Sequence, residues 1–184
     1  MTTALVTLVV AAVVVGAAAA AWPLRRRVRK LVARPGAPRI LVPFSGQLDP
    51  VVLDAAIRVA QSQGGVLVAA YLLVVPLQYP EDSARKEEIS VAIPLLEAVE
   101  HAALRAGVPV DARIEKGRSA THALRRLWEV EHFDRIVAPA PAGHPGGFTP
   151  KDVSWILTNA PSETVVLKPS PDRGGSNGKI AAHA

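Results

Sequence analysis

Ser45 follows a short apolar run, in Pro43-Phe44-Ser45-Gly46. A serine on a sharp turn after a buried strand is one way an α/β protein presents a nucleophile. The local sequence is not Gly-x-Ser-x-Gly, however, and no His–Asp arrangement is readable that would activate it. The chain has five histidines, His101, His122, His132, His144 and His183. None pairs with another at metal-ligand spacing with carboxylate support. His101 and His122 fall on helical stretches and are expected to be partly solvated; His144 alone falls in a Gly- and Pro-rich loop. There is no cysteine, which excludes thiol nucleophiles, thiolate metal sites and disulfides. Trp128 and Trp155 are expected to pack rather than to act as stacking platforms. Lys86-Glu87-Glu88 reads as a solvated helix face. No catalytic residue, no metal site and no cofactor is expected, and the chain does not read as an enzyme.

The elements that would position Ser45 begin with Ile40-Leu41-Val42, suited to a strand buried on both faces. Strand one is predicted over 39–44. Asp49-Pro50 reads as a helix start, because Asp accepts from orphan N–H groups and Pro tolerates the first helical position. Helix one is predicted over 49–63 and stops at Gly64-Gly65. Strand two is predicted over 66–75. Helix two covers much of 81–106, with a kink or restart expected at Pro94. Strand three follows over 108–115, with Val108, Val110, Ala112 and Ile114 alternating against polar neighbours. Helix three is predicted over 119–131, strand four over 134–139, a short helix four over 151–159 and strand five over 164–168. Five strands with four intervening helices imply an α/β fold, a parallel sheet with helices on both faces. Functional crevices in such sheets lie beyond the carboxyl ends of the strands. Here they would be the loops at 45–48 and 140–150.

Six of the 21 Lys and Arg residues fall in Arg25, Arg26, Arg27, Arg29, Lys30 and Arg34. The other 15 face all 16 acidic residues, so the folded part is close to neutral. A nucleic-acid partner would call for a basic surplus on the domain itself, and none is expected. Residues 4–22 run for 19 positions without a charge. As a helix they would span about 28 Å, the thickness of a bilayer core. Trp22 stands at the end, where interfacial aromatics belong. The expectation is an N-terminal transmembrane helix at 1–24, with a basic juxtamembrane linker at 25–38. The basic cluster would stay inside, so the span crosses the plasma membrane once, N-terminus outside and domain cytoplasmic. Ala12, Gly16 and Ala20 form a small-residue face suited to packing against another membrane helix. The domain proper would occupy 39–168, and 169–184 has the composition of a tail.

At this point the chain resembles the universal stress protein family, over roughly 39–168. The carrying segments are Ile40-Leu41-Val42-Pro43, Gly107-Val108-Pro109-Val110, Glu115–Ala138 and Ala160-Pro161 with Val165-Val166-Leu167. The resemblance implies a strand order of 3-2-1-4-5 and frequent dimers. Separately, the strand-five edge offers a route to a homodimer, although Lys168 and Pro169 partly blunt it. Some members bind ATP and others do not. The binders carry Gly-x2-Gly-x9-Gly-Ser/Thr after strand four, where backbone N–H groups reach phosphate beside a helix N-terminus. Matched to this chain, the glycines fall on Ala138, Pro141 and Lys151, and the Ser/Thr falls on Asp152. The acidic nucleoside contact after strand one falls on Ser45. A shifted loop, Gly143-His144-Pro145-Gly146-Gly147, keeps the Gly-x2-Gly spacing, but nothing suitable follows nine residues later.

Two functions follow from these residues. The first is a non-catalytic, membrane-anchored accessory subunit or adaptor of an integral membrane protein complex, with the lipid bilayer as its second partner. One span followed by such a domain looks like the accessory factor associated with the actinobacterial cytochrome bcc–aa3 respiratory supercomplex. The second is a membrane-tethered stress or signalling domain binding ATP or another small ligand, with Ser45, Gly143, Gly146 and Gly147 as its site.

Overall fold

The computed structural model describes residues 33–80, 86–141 and 148–168. In chain order they form β1 (Arg39–Phe44), α1 (Pro50–Gln63), β2 (Val66–Val74), α2 (Lys86–Arg105), β3 (Val110–Gly117), α3 (Ala120–Val130), β4 (Arg135–Pro139), α4 (Pro150–Asn159) and β5 (Glu163–Leu167). The strands make one sheet in the order β3-β2-β1-β4-β5. Every pairing is parallel, with Arg39 opposite Val66, Leu67 opposite Val110, Ile40 opposite Arg135 and Arg135 opposite Glu163. The expected α/β sheet and its order are therefore present.

Alternation along the strands builds a core on each face. Ile40, Val42 and Phe44 point with Ala69, Tyr71 and Leu73 toward α1 and α2, meeting Val52, Ala56, Leu95 and Val99. Leu41, Val68, Ala70 and Leu72 point the other way, toward Leu124 and Leu127 of α3 and Val153 and Ile156 of α4. Both faces are covered, which is why β1 and β2 read as continuous apolar runs.

The helix ends follow local chemistry. Asp49 caps α1 by accepting from the Val51 N–H at 2.8 Å, and Pro50 opens the helix. Gly64 closes it at φ +60°, with its N–H on Gln61 and that of Gly65 on Ala60. The same pair of bonds ends α2, where Gly107 (φ +73°) donates to Leu104 and Val108 to Ala103. This closure consumes Val108, so β3 starts at Val110 rather than at 108. No restart occurs at Pro94: α2 runs on for 20 residues with the proline inside it. Pro94 and Ser90 are both exposed, so water can take the Ser90 carbonyl that the proline leaves without a donor.

The membrane architecture is corrected. Among the described residues no helix is long and apolar enough to cross a membrane. Each described helix is amphipathic, with charged residues on its outer face and one stripe in a core. Residues 4–22, with the expected partner face Ala12, Gly16 and Ala20, lie outside the described residues. The expectation rested on an uncharged run, Trp22 and the basic cluster behind it. The single-pass topology, the plasma-membrane location and the partnership with a bilayer and a membrane complex go with it. Pairing through strand five is corrected as well. β5 is five residues long, and Glu163 at its start is tied back to Arg135 of β4. A short edge with its charge engaged inside the sheet is a poor template for a second chain.

Candidate functional site

Sheet order places the crevice. β1 connects to β2 on one side and lies beside β4 on the other, so the order in which strands join the sheet reverses between β1 and β4. The loops leaving the carboxyl ends of those two strands must splay apart there.

The first wall is the turn after β1. Gly46 takes φ +74°, a conformation that only glycine adopts readily, and the turn leaves Ser45 half-buried at the strand end. Leu48, 2% exposed, anchors the far side of the turn in the core. Beneath it Phe44 meets Tyr71 edge to face, with ring centroids 5.5 Å apart. Burial pushes the Tyr71 phenol up from its ordinary pKa. A hydrogen bond from the Gly46 backbone opposes that shift, and the Glu88 carboxylate adds to it. Tyr71 thus ties β2 to the Ser45–Gly46 turn. The sequence reading missed it, although one hydroxyl in an otherwise apolar strand was a signal, because a buried phenol needs a polar partner. Glu88 was read as part of a solvated face. It is half-buried and acts on Tyr71.

The second wall is the start of α4. Phe148 is buried in the α3/α4 core and returns the loop to the sheet. Thr149 then caps the helix: its hydroxyl accepts from the Asp152 N–H at 3.2 Å. The Asp152 carboxylate reaches back to accept from the Thr149 N–H at 2.9 Å and from its hydroxyl at 2.6 Å. A helix N-terminus that could receive phosphate holds a carboxylate of its own instead. Ala138, matched to the first family glycine, is fully buried inside β4. Pro141 has no N–H to offer, and Lys151 sits in the first turn of α4. The departures expected at the phosphate positions therefore have a structural form. Gly143, Gly146, Gly147 and His144 lie outside the described residues.

A third wall is held by Arg118, just past β3. Its guanidinium donates to the carbonyls of Val75, Pro76 and Tyr79 at 3.3, 2.8 and 2.9 Å, fixing the loop after β2. Next to it His122 accepts from the Arg118 N–H through Nδ1 at 3.1 Å, inside the first turn of α3. Among the described residues no three His, Cys, Asp or Glu side chains gather as a metal site. No hydrogen bond links Ser45 to a histidine there either. What the walls offer is shape, a polar turn and one capped helix end.

No family model matches the chain, and no curated protein matches it. Solved structures do. UspA from Lactobacillus plantarum superposes with a TM-score of 0.56 at 17% identity, over 71% of this chain and 97% of its own. A universal stress protein family protein from Arabidopsis thaliana with AMP bound gives 0.54 at 13% identity, over 76% and 97%. The universal stress protein from Archaeoglobus fulgidus in complex with dAMP gives 0.54 at 17% identity, over 72% and 98%. These likenesses do not support the expected accessory factor of a respiratory supercomplex, and that identification is replaced. At these identities the shared property is the fold, and the fold of residues 39–167 is that of the universal stress proteins.

Proposed function

We propose that this domain is a non-catalytic binding module whose β1/β4 crevice takes a small nucleotide-like molecule, held chiefly at its nucleoside end. The observation that carries this reading is the chemistry of the two walls. The turn after β1 keeps a half-buried hydroxyl on Ser45 and a tied Gly46. The helix end that would grip phosphate is closed by Asp152. The fold likeness to proteins with AMP and dAMP bound supports the ligand class. Ser45 is assigned to the sugar or base, and Gly143, Gly146 and Gly147 to backbone contacts on the opposite loop.

Calorimetric titration of the full chain with adenosine, AMP and ATP tests the assignment. Adenosine and AMP are expected to bind with Kd values on the order of 10 μM, about −7 kcal/mol, and ATP no more tightly than AMP. Absence of saturable heat with all three would overturn the reading. Tenfold tighter binding of ATP than of AMP would overturn its nucleoside-end part.

A further inference from the structure

A second cleft lies away from the crevice, between the last turns of α3 and α4. It encloses about 240 Å³ and is lined by Arg125, Trp128, Glu129, Trp155, Asn159 and Pro161. The two indoles stack within 2° of parallel, with ring centroids 5.3 Å apart. The Arg125 guanidinium carbon stands 5.5 Å from the centroid of the Trp155 ring. Both tryptophans pack against the α3/α4 core on one side and remain half-buried on the other. Among the described residues the buried Trp128 indole N–H has no acceptor. A buried donor without an acceptor detracts from stability, so packing alone is a poor reason for tryptophan at that position.

The polar rim narrows the ligand. Arg125 and Glu129 are both exposed and one helical turn apart, so the rim carries one charge of each sign. An anion would gain at Arg125 and lose at Glu129; a cation would do the reverse. One of the two Asn159 amide N–H groups donates to the Trp155 carbonyl at 2.8 Å, which leaves the other N–H and the side-chain oxygen to a ligand. The rim thus presents donors on Arg125 and Asn159 and acceptors on Glu129 and Asn159. The volume lies below the roughly 300–1,000 Å³ of drug-sized sites, enough for one ring system.

We infer that this cleft binds a neutral, planar heteroaromatic ring bearing both a hydrogen-bond donor and an acceptor, of which a ring carboxamide is the simplest example. The ring takes the Trp155 face over which the exposed Arg125 side chain stands, its acceptor meets the guanidinium as that side chain swings aside, and its donor meets Glu129 or Asn159. The site is independent of the β1/β4 crevice and does not rest on the nucleotide reading.

The probe is nicotinamide, titrated into the full chain and followed by ligand-observed NMR and tryptophan emission. Saturable binding is expected with a Kd on the order of 1 mM, as suits a fragment. Cyclohexanecarboxamide, which keeps the amide and lacks the flat ring, is expected to bind at least about tenfold more weakly, because aromatic stacking is lost. Arg125→Ala, at an exposed position, is expected to weaken nicotinamide about fivefold by removing the donor on the rim. No saturation by about 20 mM, roughly −2 kcal/mol, would overturn the inference. So would equal binding of the cyclohexane analogue or an unaltered Kd in Arg125→Ala. If Arg125→Ala does not fold, the comparison of the two amides decides alone.

Discussion

Asp152 serves the fold at the expense of one kind of ligand. Its carboxylate accepts from the Thr149 N–H and hydroxyl and places a negative charge at the positive end of α4. Asp152→Ala breaks this reciprocal cap and is expected to cost about 1 kcal/mol, read as a lowered urea midpoint. The same change removes charge from the phosphate side of the crevice, so ATP affinity should rise relative to adenosine. Calorimetry on the variant that shows the ratio unmoved would place phosphate elsewhere. A second residue effect lies at the opposite edge of the sheet. Glu131 accepts from Arg113 and Arg39. The Arg113 hydrogen bonds hold its carboxyl below the ordinary value of 4.5, against the upward push of burial. Folding therefore weakens proton binding at this group, and its contribution is complete above the unfolded pKa. It fades as pH falls through the lowered folded value. Glu115, raised by burial, works in the opposite sense and gains as pH falls through its own raised value. Glu131→Gln should lower the melting temperature at pH 7, with the gap to the parent narrower at pH 3. A gap of equal size at both pH values would assign the loss to packing instead of charge.

At the scale of elements, one tight fit is between β3 and α3. A Cβ added to Gly117 would stand 2.6 Å from the Ala123 nitrogen and 2.9 Å from its Cα. Those are backbone atoms of a capped first turn, with Ser119 accepting from the His122 N–H, so they cannot yield without moving the helix. Gly117→Ala should destabilise by about 1–3 kcal/mol, measured by urea denaturation. Pro94 lies at the other extreme. It interrupts no buried contact, and Pro94→Ala would return a donor to the Ser90 carbonyl. That substitution should stabilise α2 by about 1–3 kcal/mol, seen as a higher melting temperature; an unchanged one would mean the site gains nothing from the restored bond. The elements were legible in the residues where one rule dominated. Ile40-Leu41-Val42, Asp49-Pro50 and Gly64-Gly65 each pointed one way and formed as expected. Val108 was misplaced because a helix closure and a strand start competed for it, and the closure won. Tyr71 and Glu88 were missed because their meeting at the Gly46 turn is made by sheet and helix packing, which spacing along the chain does not encode. The stack of Trp128 on Trp155 joins residues of different helices, and for the same reason it was visible only as two packing residues.

The whole domain is a sheet with a separate core on each side, and that arrangement makes a testable statement about cooperativity. Ile57 of α1 lies in one core and Ile156 of α4 in the other, at 6% and 0% exposure. The strands between them send alternate side chains to each face, so a methyl removed on one side leaves the other side's neighbours in place. Ile57→Val and Ile156→Val should each cost about 0.5–1.5 kcal/mol. The helices sit on opposite faces of the sheet, each roughly 10 Å from it, beyond the range at which substitutions usually couple. The double variant should therefore lose the sum to within about 0.5 kcal/mol, in a single urea transition of unchanged slope. The single transition is the more demanding half of the expectation, because β1 and β2 supply both cores through one set of backbone hydrogen bonds. If the sheet is the shared scaffold, neither face can unfold while the other persists. Two transitions, or a coupling above about 1 kcal/mol, would show that the faces are not independent in packing or not joined in folding. Either result would also bear on the ligands, since the crevice draws a wall from each face while the indole cleft draws on α3, α4 and Pro161 after it, all on one face.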